Sequence, residues 1–238
     1  MKIANILLRH PYDEAETRWR GQHADLILGK VAPYYYRTPI LEENPNAILC
    51  DYILPPQYEQ AKSDLVRIST LATASLRSFN PCIDGLLYDV PLNHGPSNTT
   101  DTKHAQLSML AEVQGMCRGR TMWVNLVDSQ LVVEGPPTWE PWCMRLKNVA
   151  LAYLFEDVRI DRMTPELIDA LNDIEKPMIF MFHRGEPMPV EEAKQKSFEC
   201  AQALDATNRY FGYRDAPKWV DPRRIETWQL NELMQAAR

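Results

Sequence analysis

Seven residues of this chain carry side chains that could hold or move a proton and fall where an apolar run gives way to a loop. They are His10, Asp51, Asp89, Asn125, Asp128, Glu156 and His183. Two of them, Asp89 and Glu156, end or follow the apolar runs Ile83-Asp-Gly-Leu-Leu-Tyr-Asp89 and Val149-Ala-Leu-Ala-Tyr-Leu-Phe155. A pair of carboxyl groups facing each other is the equipment of glycosidic cleavage. One protonates the leaving oxygen, and the other attacks the anomeric carbon or activates water. Asp51, Asn125, Asp128, His10 and His183 would then bind substrate hydroxyls or tune the acids. Trp139 and Tyr88 offer flat faces to a sugar ring, although aromatic residues more often pack. Each acid also has a plain alternative: Asp89 as a turn residue, Asp51 bonded to backbone, Glu156 paired with Arg159 or Arg162, Asp128 opening a turn.

Such residues meet only if a fold gathers them. Eight short apolar runs recur along the chain: 3–8, 25–28, 47–54, 83–89, 121–127, 149–155, 177–182 and 209–213. Runs lacking polar alternation suit strands covered on both faces, as in a parallel sheet. Helix-compatible stretches separate them at 13–24, 57–79, 102–117, 165–175 and 190–207, with a last amphipathic stretch at 222–238. Thr164-Pro165-Glu166 reads as an N-cap with proline in the first turn. Residues 33–39 read as a loop whose tyrosines 34–36 either pack or stack on sugars, and 40–43 as a brief helix. This rhythm predicts a single α/β domain over residues 1–238, a (β/α)8 TIM-like barrel, with the candidate residues at the carboxyl ends of its strands. There, strands four and six are separated by one strand, so Asp89 and Glu156 could face each other across the mouth. A carboxyl separation of about 5 to 5.5 Å would imply retention, and about 6.5 to 9.5 Å inversion.

Composition narrows the field. The 238 residues are 45% hydrophobic, enough for one large core. A net charge of −6 argues against nucleic acid or an anionic membrane held by a basic surface. Residues 3–8 are too few for a signal-peptide core or a membrane span, so a cytoplasmic chain is expected, with assembly into a larger particle such as a virion left open. The five cysteines are scattered without C-x-x-C spacing and read as small core residues. Neither a metal-binding histidine motif nor a glycine-rich phosphate loop occurs, so no cofactor and no metal are expected.

The succession Ile3-Ala-Asn-Ile-Leu-Leu8, Ala24-Asp-Leu-Ile-Leu28, Asn44-Pro-Asn-Ala-Ile-Leu49, Asp84-Gly-Leu-Leu-Tyr-Asp89 and Leu154-Phe-Glu156 resembles the TIM-barrel glycoside hydrolases. These include the group related to endo-α-1,4-polygalactosaminidase and the uncharacterised glycosyl hydrolase-like proteins of bacteria and phages. The resemblance covers about residues 3 to 185. It implies a barrel of carbohydrate-cleaving ancestry acting on a carbohydrate substrate, with Asp89 and Glu156 at the acid positions. A competing resemblance rests on Leu8-Arg9-His10, Arg18, Gly21, Ser63-Asp-Leu-Val-Arg67 and Phe182-His183, which look like the histidine phosphatases and would make His10 a nucleophile. A non-catalytic barrel serving as a binding or structural component is the third expectation.

Overall fold

The computed structural model describes residues 1–7, 12–29, 34–52, 83–88, 114, 119–127, 151–183 and 188–213. Its strands are β1 (Lys2–Leu7), β2 (Leu26–Gly29), β3 (Ile48–Tyr52), β4 (Gly85–Tyr88), β5 (Thr121–Val127), β6 (Leu151–Arg159), β7 (Met178–His183) and β8 (Arg209–Tyr213). The helices are α1 (Glu14–His23), α2 (Tyr34–Glu43), α3 (Pro165–Asn172) and α4 (Val190–Ala203), with a 3-10 turn at Ile160–Arg162. Every strand pairs in parallel with its sequence neighbour. The sheet curls until its edges meet, Lys2 and Ile3 of β1 pairing with Tyr210 and Phe211 of β8. That pairing gives each edge strand a partner, which an open sheet would leave unpaired.

Described helices follow β1, β2, β6 and β7. After β3, β4, β5 and β8 the described residues show no helix beyond Gln114, which is helical; the expected helices over 57–79 and 222–238 lie outside the described residues, as does that over 102–117 but for Gln114. The alternation of strand with helix is therefore observed for half of its units.

Strand alternation sorts the core into two layers. Ala4, Leu26, Leu28, Cys50, Trp123, Ala152, Leu154, Ile179, Met181 and Tyr210 form one buried cluster inside the ring. Near the amino ends, Trp123 meets Tyr210 edge-on with centroids 6.0 Å apart, and Lys2 Nζ sits 5.3 Å from the same tyrosine ring. On the outer face Phe155, Phe180 and Phe211 stack at 5.4 and 5.8 Å, and Phe182 joins Phe211 at 6.2 Å. All four are fully buried. Each such ring contributes about 1.5–3 kcal/mol by leaving water.

Local signals explain the helices. Asp13 caps α1 by accepting from the Glu16 N–H at 3.0 Å, and Thr164 caps α3 by accepting from the Leu167 N–H at 3.3 Å, with Pro165 in the first turn. Arg209 closes the far ends of α3 and α4. Its guanidinium donates to the carbonyls of Leu171 at 3.1 Å and Leu204 at 3.0 Å, acceptors that a helix end leaves unpaired.

Two expectations about elements are corrected. Residues 34–39 are not a loop: they open α2, which continues through Pro39. Tyr36, Pro39 and Ile40 are buried on one helical face, and that burial offsets the hydrogen bond a mid-helix proline removes. Nor does β6 end before Glu156; it runs on to Arg159.

Candidate functional site

With the amino end of the ring packed by Trp123 and Tyr210, the carboxyl ends of the strands form the other opening. Two departures from regular pairing lie side by side near it. Between β5 and β6, Asn125 pairs with Leu154 but Val127 pairs with Phe155, so β5 takes two steps where β6 takes one. Between β6 and β7, Phe155 pairs with Phe180 and Val158 with Phe182, so β6 takes three steps where β7 takes two. Phe155 and Val158 therefore both align with outward positions of β7. Two acids, Glu156 and Asp157, separate them where a regular strand would hold one residue. Bulges of this kind gather at barrel rims and beside active sites, because an extra residue re-aims side chains that alternation would otherwise fix.

Regular alternation over 121–127 would put Asn125 on one side of the strand with Trp123 and Val127, and the first bulge breaks that grouping. Asn125 keeps the register of interior Trp123, opposite Leu154, whereas Val127 is moved opposite outward Phe155. His183 occupies the last register position of β7, opposite Arg159. Tyr88 ends β4 opposite Val124. Asp51 lies one step beyond interior Cys50 and pairs with Gly29 and Leu86, so alternation turns it to the outer side of the sheet, half-buried. Expected as a residue facing the mouth, it is instead on the helix side of β3. Four further candidates, His10, Asp89, Asp128 and Trp139, lie outside the described residues.

Beyond the second bulge, Arg159 grips Asp161 with two hydrogen bonds, Nε to Oδ1 at 3.1 Å and Nη2 to Oδ2 at 2.6 Å. Burial works to raise the Asp161 pKa, but the Arg159 hydrogen bonds and charge outweigh it and hold the carboxyl below its usual range. Nothing in the sequence reading singled out Asp161; the i, i+2 spacing from Arg159 across the strand end was the available signal. Gly29, at the carboxyl end of β2, has φ of 138°, a conformation that favours glycine.

A second feature, of which the sequence pointed to tyrosines 34–36 but not to Tyr12, follows β1 and β2. Tyr12, just before α1, meets Tyr35 and Tyr36 of α2 edge-on, each pair with centroids 5.2 Å apart. Cys50 and Cys200 bear out the reading of cysteines as core residues for the two that are described. Both are buried, and burial pushes both thiols upward, Cys200 to about 11. Among the described residues, no group of three His, Cys, Asp or Glu side chains is placed to hold a metal ion. No helix among them is long and apolar enough to cross a membrane.

No family model matches the chain, and no curated protein matches it. Solved structures do resemble it. The metallated form of the homocysteine methyltransferase MmuM from Escherichia coli superposes with a TM-score of 0.57 at 12% identity, covering 94% of this chain and 83% of that one. A DUF72 family protein from Enterococcus faecalis V583 gives 0.52 at 11% identity, covering 100% and 98%, and a second structure of it gives 0.53 at 11%, covering 99% and 94%. At these identities the likeness is one of fold, and it supports the curled parallel α/β sheet. The glycoside hydrolase expectation is corrected by the same findings. No family model supports the resemblance that carried it, and the structural neighbours are a methyltransferase and DUF72 proteins, which point away from it.

Proposed function

We propose that the chain is a complete (β/α)8 barrel that binds a small polar molecule at the carboxyl ends of its strands and moves a proton on it. Glu156 is the acid–base group in this reading, and Asn125 and His183 hold the substrate. One observation carries it: the two bulges lie on adjacent strand pairs beside Asn125 and beside Glu156-Asp157. Irregular pairing sacrifices ladder hydrogen bonds, and at a barrel rim its usual return is a re-aimed functional side chain. The carboxyl end is also where barrel enzymes build their sites, because it collects residues from several strands without disturbing the core. Asp89 and Asp128 each follow a strand end, of β4 and of β5, by one residue in sequence. Asp51 is left out because its alternation is outward.

The test is a thermal-shift screen of small carboxylic acids, amines and phosphate esters against the wild type, Asn125→Ala, Glu156→Gln and His183→Ala. A compound that stabilises the wild type and loses most of that effect in all three variants supports the site. Stabilisation that survives all three substitutions removes it.

A further inference from the structure

The large hydrophobic side chains exposed among the described residues are Tyr12, Tyr34 and Tyr35, at 40%, 73% and 43% exposure. They belong to one cluster. Tyr12 crosses Tyr35 at 77° and Tyr36 at 85°, and Tyr34 crosses Tyr35 at 81° with centroids 5.8 Å apart. Tyr36, 8% exposed, is the base against which Tyr12 and Tyr35 stand. The four outer phenylalanines lie within 13° of parallel, whereas the interior Trp123–Tyr210 pair also crosses edge-on. Rings set near right angles at a surface present electron-rich faces in different directions around a corner.

Carboxylates outnumber cations in residues 12–18 and 34–43, where Asp13, Glu14, Glu16, Glu42 and Glu43 stand against Arg18 and Arg37. Asp13 and Glu14 adjoin Tyr12 in sequence, and after burial Glu14 is the strongest influence raising the Tyr12 pKa. The guanidinium that acts on Tyr12 in the opposite sense belongs to Arg18, which three carboxylates enclose: Glu14 at 3.0 Å, Glu42 at 2.7 Å and Glu43 at 3.2 Å. Aromatic faces in a negative field attract a cation whose hydration is weak, and alkylated ammonium groups are of that kind.

We infer that the Tyr12–Tyr34–Tyr35 corner is a binding site for a soluble molecule bearing an alkylated ammonium group. It is independent of the proton-transfer reading, since none of its residues lies on β5, β6 or β7. Choline is the probe, with 3,3-dimethyl-1-butanol as its uncharged counterpart and phosphatidylcholine vesicles as the membrane-borne one, all titrated against the full chain. Choline is expected to bind saturably, and the uncharged alcohol several-fold more weakly. Tyr34→Ala and Tyr35→Ala should each weaken choline binding by about two- to five-fold, the range for a cation over an exposed ring, with the circular dichroism spectrum unchanged. Glu14→Gln should weaken choline and leave the alcohol unaffected. Equal binding of choline and the alcohol, indifference to both tyrosine substitutions, capture by vesicles without binding of free choline, or no saturable binding of choline would each overturn the inference.

Discussion

Ile3 and Asp25 are joined twice: the Asp25 N–H donates to the Ile3 carbonyl at 2.9 Å, and Asp25 Oδ2 accepts from the Ile3 N–H at 2.6 Å. Leu49 and Asp84 repeat the arrangement two strands later, at 3.0 Å for both bonds. In each case an aspartate just ahead of one strand takes up a backbone donor of its neighbour, which would otherwise enter the sheet unpaired. These clamps fix the amino-end register of the β1–β2 and β3–β4 pairs, and all positions further along the strands inherit it.

Removing either carboxylate should therefore cost stability. Asp25→Ala and Asp84→Ala are each expected to lower the unfolding free energy by about 1–3 kcal/mol, the penalty for stranding a buried donor. Asp25→Asn should lose less, because its amide oxygen can still accept. Urea unfolding of the three variants checks the order, and an Asp25→Asn loss equal to that of Asp25→Ala would contradict it.

Gly85 gives a second expectation, inside the ring. A methyl group there would stand 2.8 Å from Cys50 Sγ and 3.0 Å from the Thr121 carbonyl oxygen. Gly85→Ala should destabilise by about 1–3 kcal/mol, as overpacking does. The sulfur is the closer of the two obstacles, so adding Cys50→Ala should reduce the cost of the second substitution. Denaturant midpoints of the two single variants and the double variant read out that coupling, which is absent if the backbone oxygen alone sets the strain.

Alkaline pH should weaken the fold through its thiols. Burial raises the Cys200 pKa from 9.0 to about 11, so the fold favours the neutral thiol. That preference is fully present below pH 9, where the unfolded chain also keeps its proton, and is lost as pH rises through 11. Cys50 is shifted in the same direction. Guanidinium midpoints compared at pH 8 and pH 10.5 should fall in the wild type and fall less in Cys200→Ala. Equal falls would show that the Cys200 thiol plays no part.

The strands were readable from the sequence because burial on both faces leaves continuous apolar runs. The bounds of 121–127 and 209–213 agree with β5 and β8 to the residue. The bulges were not readable, since an extra residue is defined only by the partner strand: Phe155-Glu156-Asp157-Val158 looks like ordinary strand until Phe180 and Phe182 are set against it. Pro39 misled in the opposite way, breaking a helix on paper that the buried face of Tyr36 and Ile40 maintains. The paired-acid idea placed Glu156 near a feature of interest, but for sugar chemistry the comparisons do not support. Asp25 and Asp84, read only as strand residues, hold the register.

The proton-transfer reading is tested most directly by counting protons. A compound found to bind the wild type is titrated calorimetrically in buffers of differing ionisation enthalpy, against the wild type and Glu156→Gln. If Glu156 exchanges a proton with the bound molecule, the wild type shows a net proton uptake or release that disappears in Glu156→Gln. The same proton count in both proteins would contradict the role assigned to Glu156.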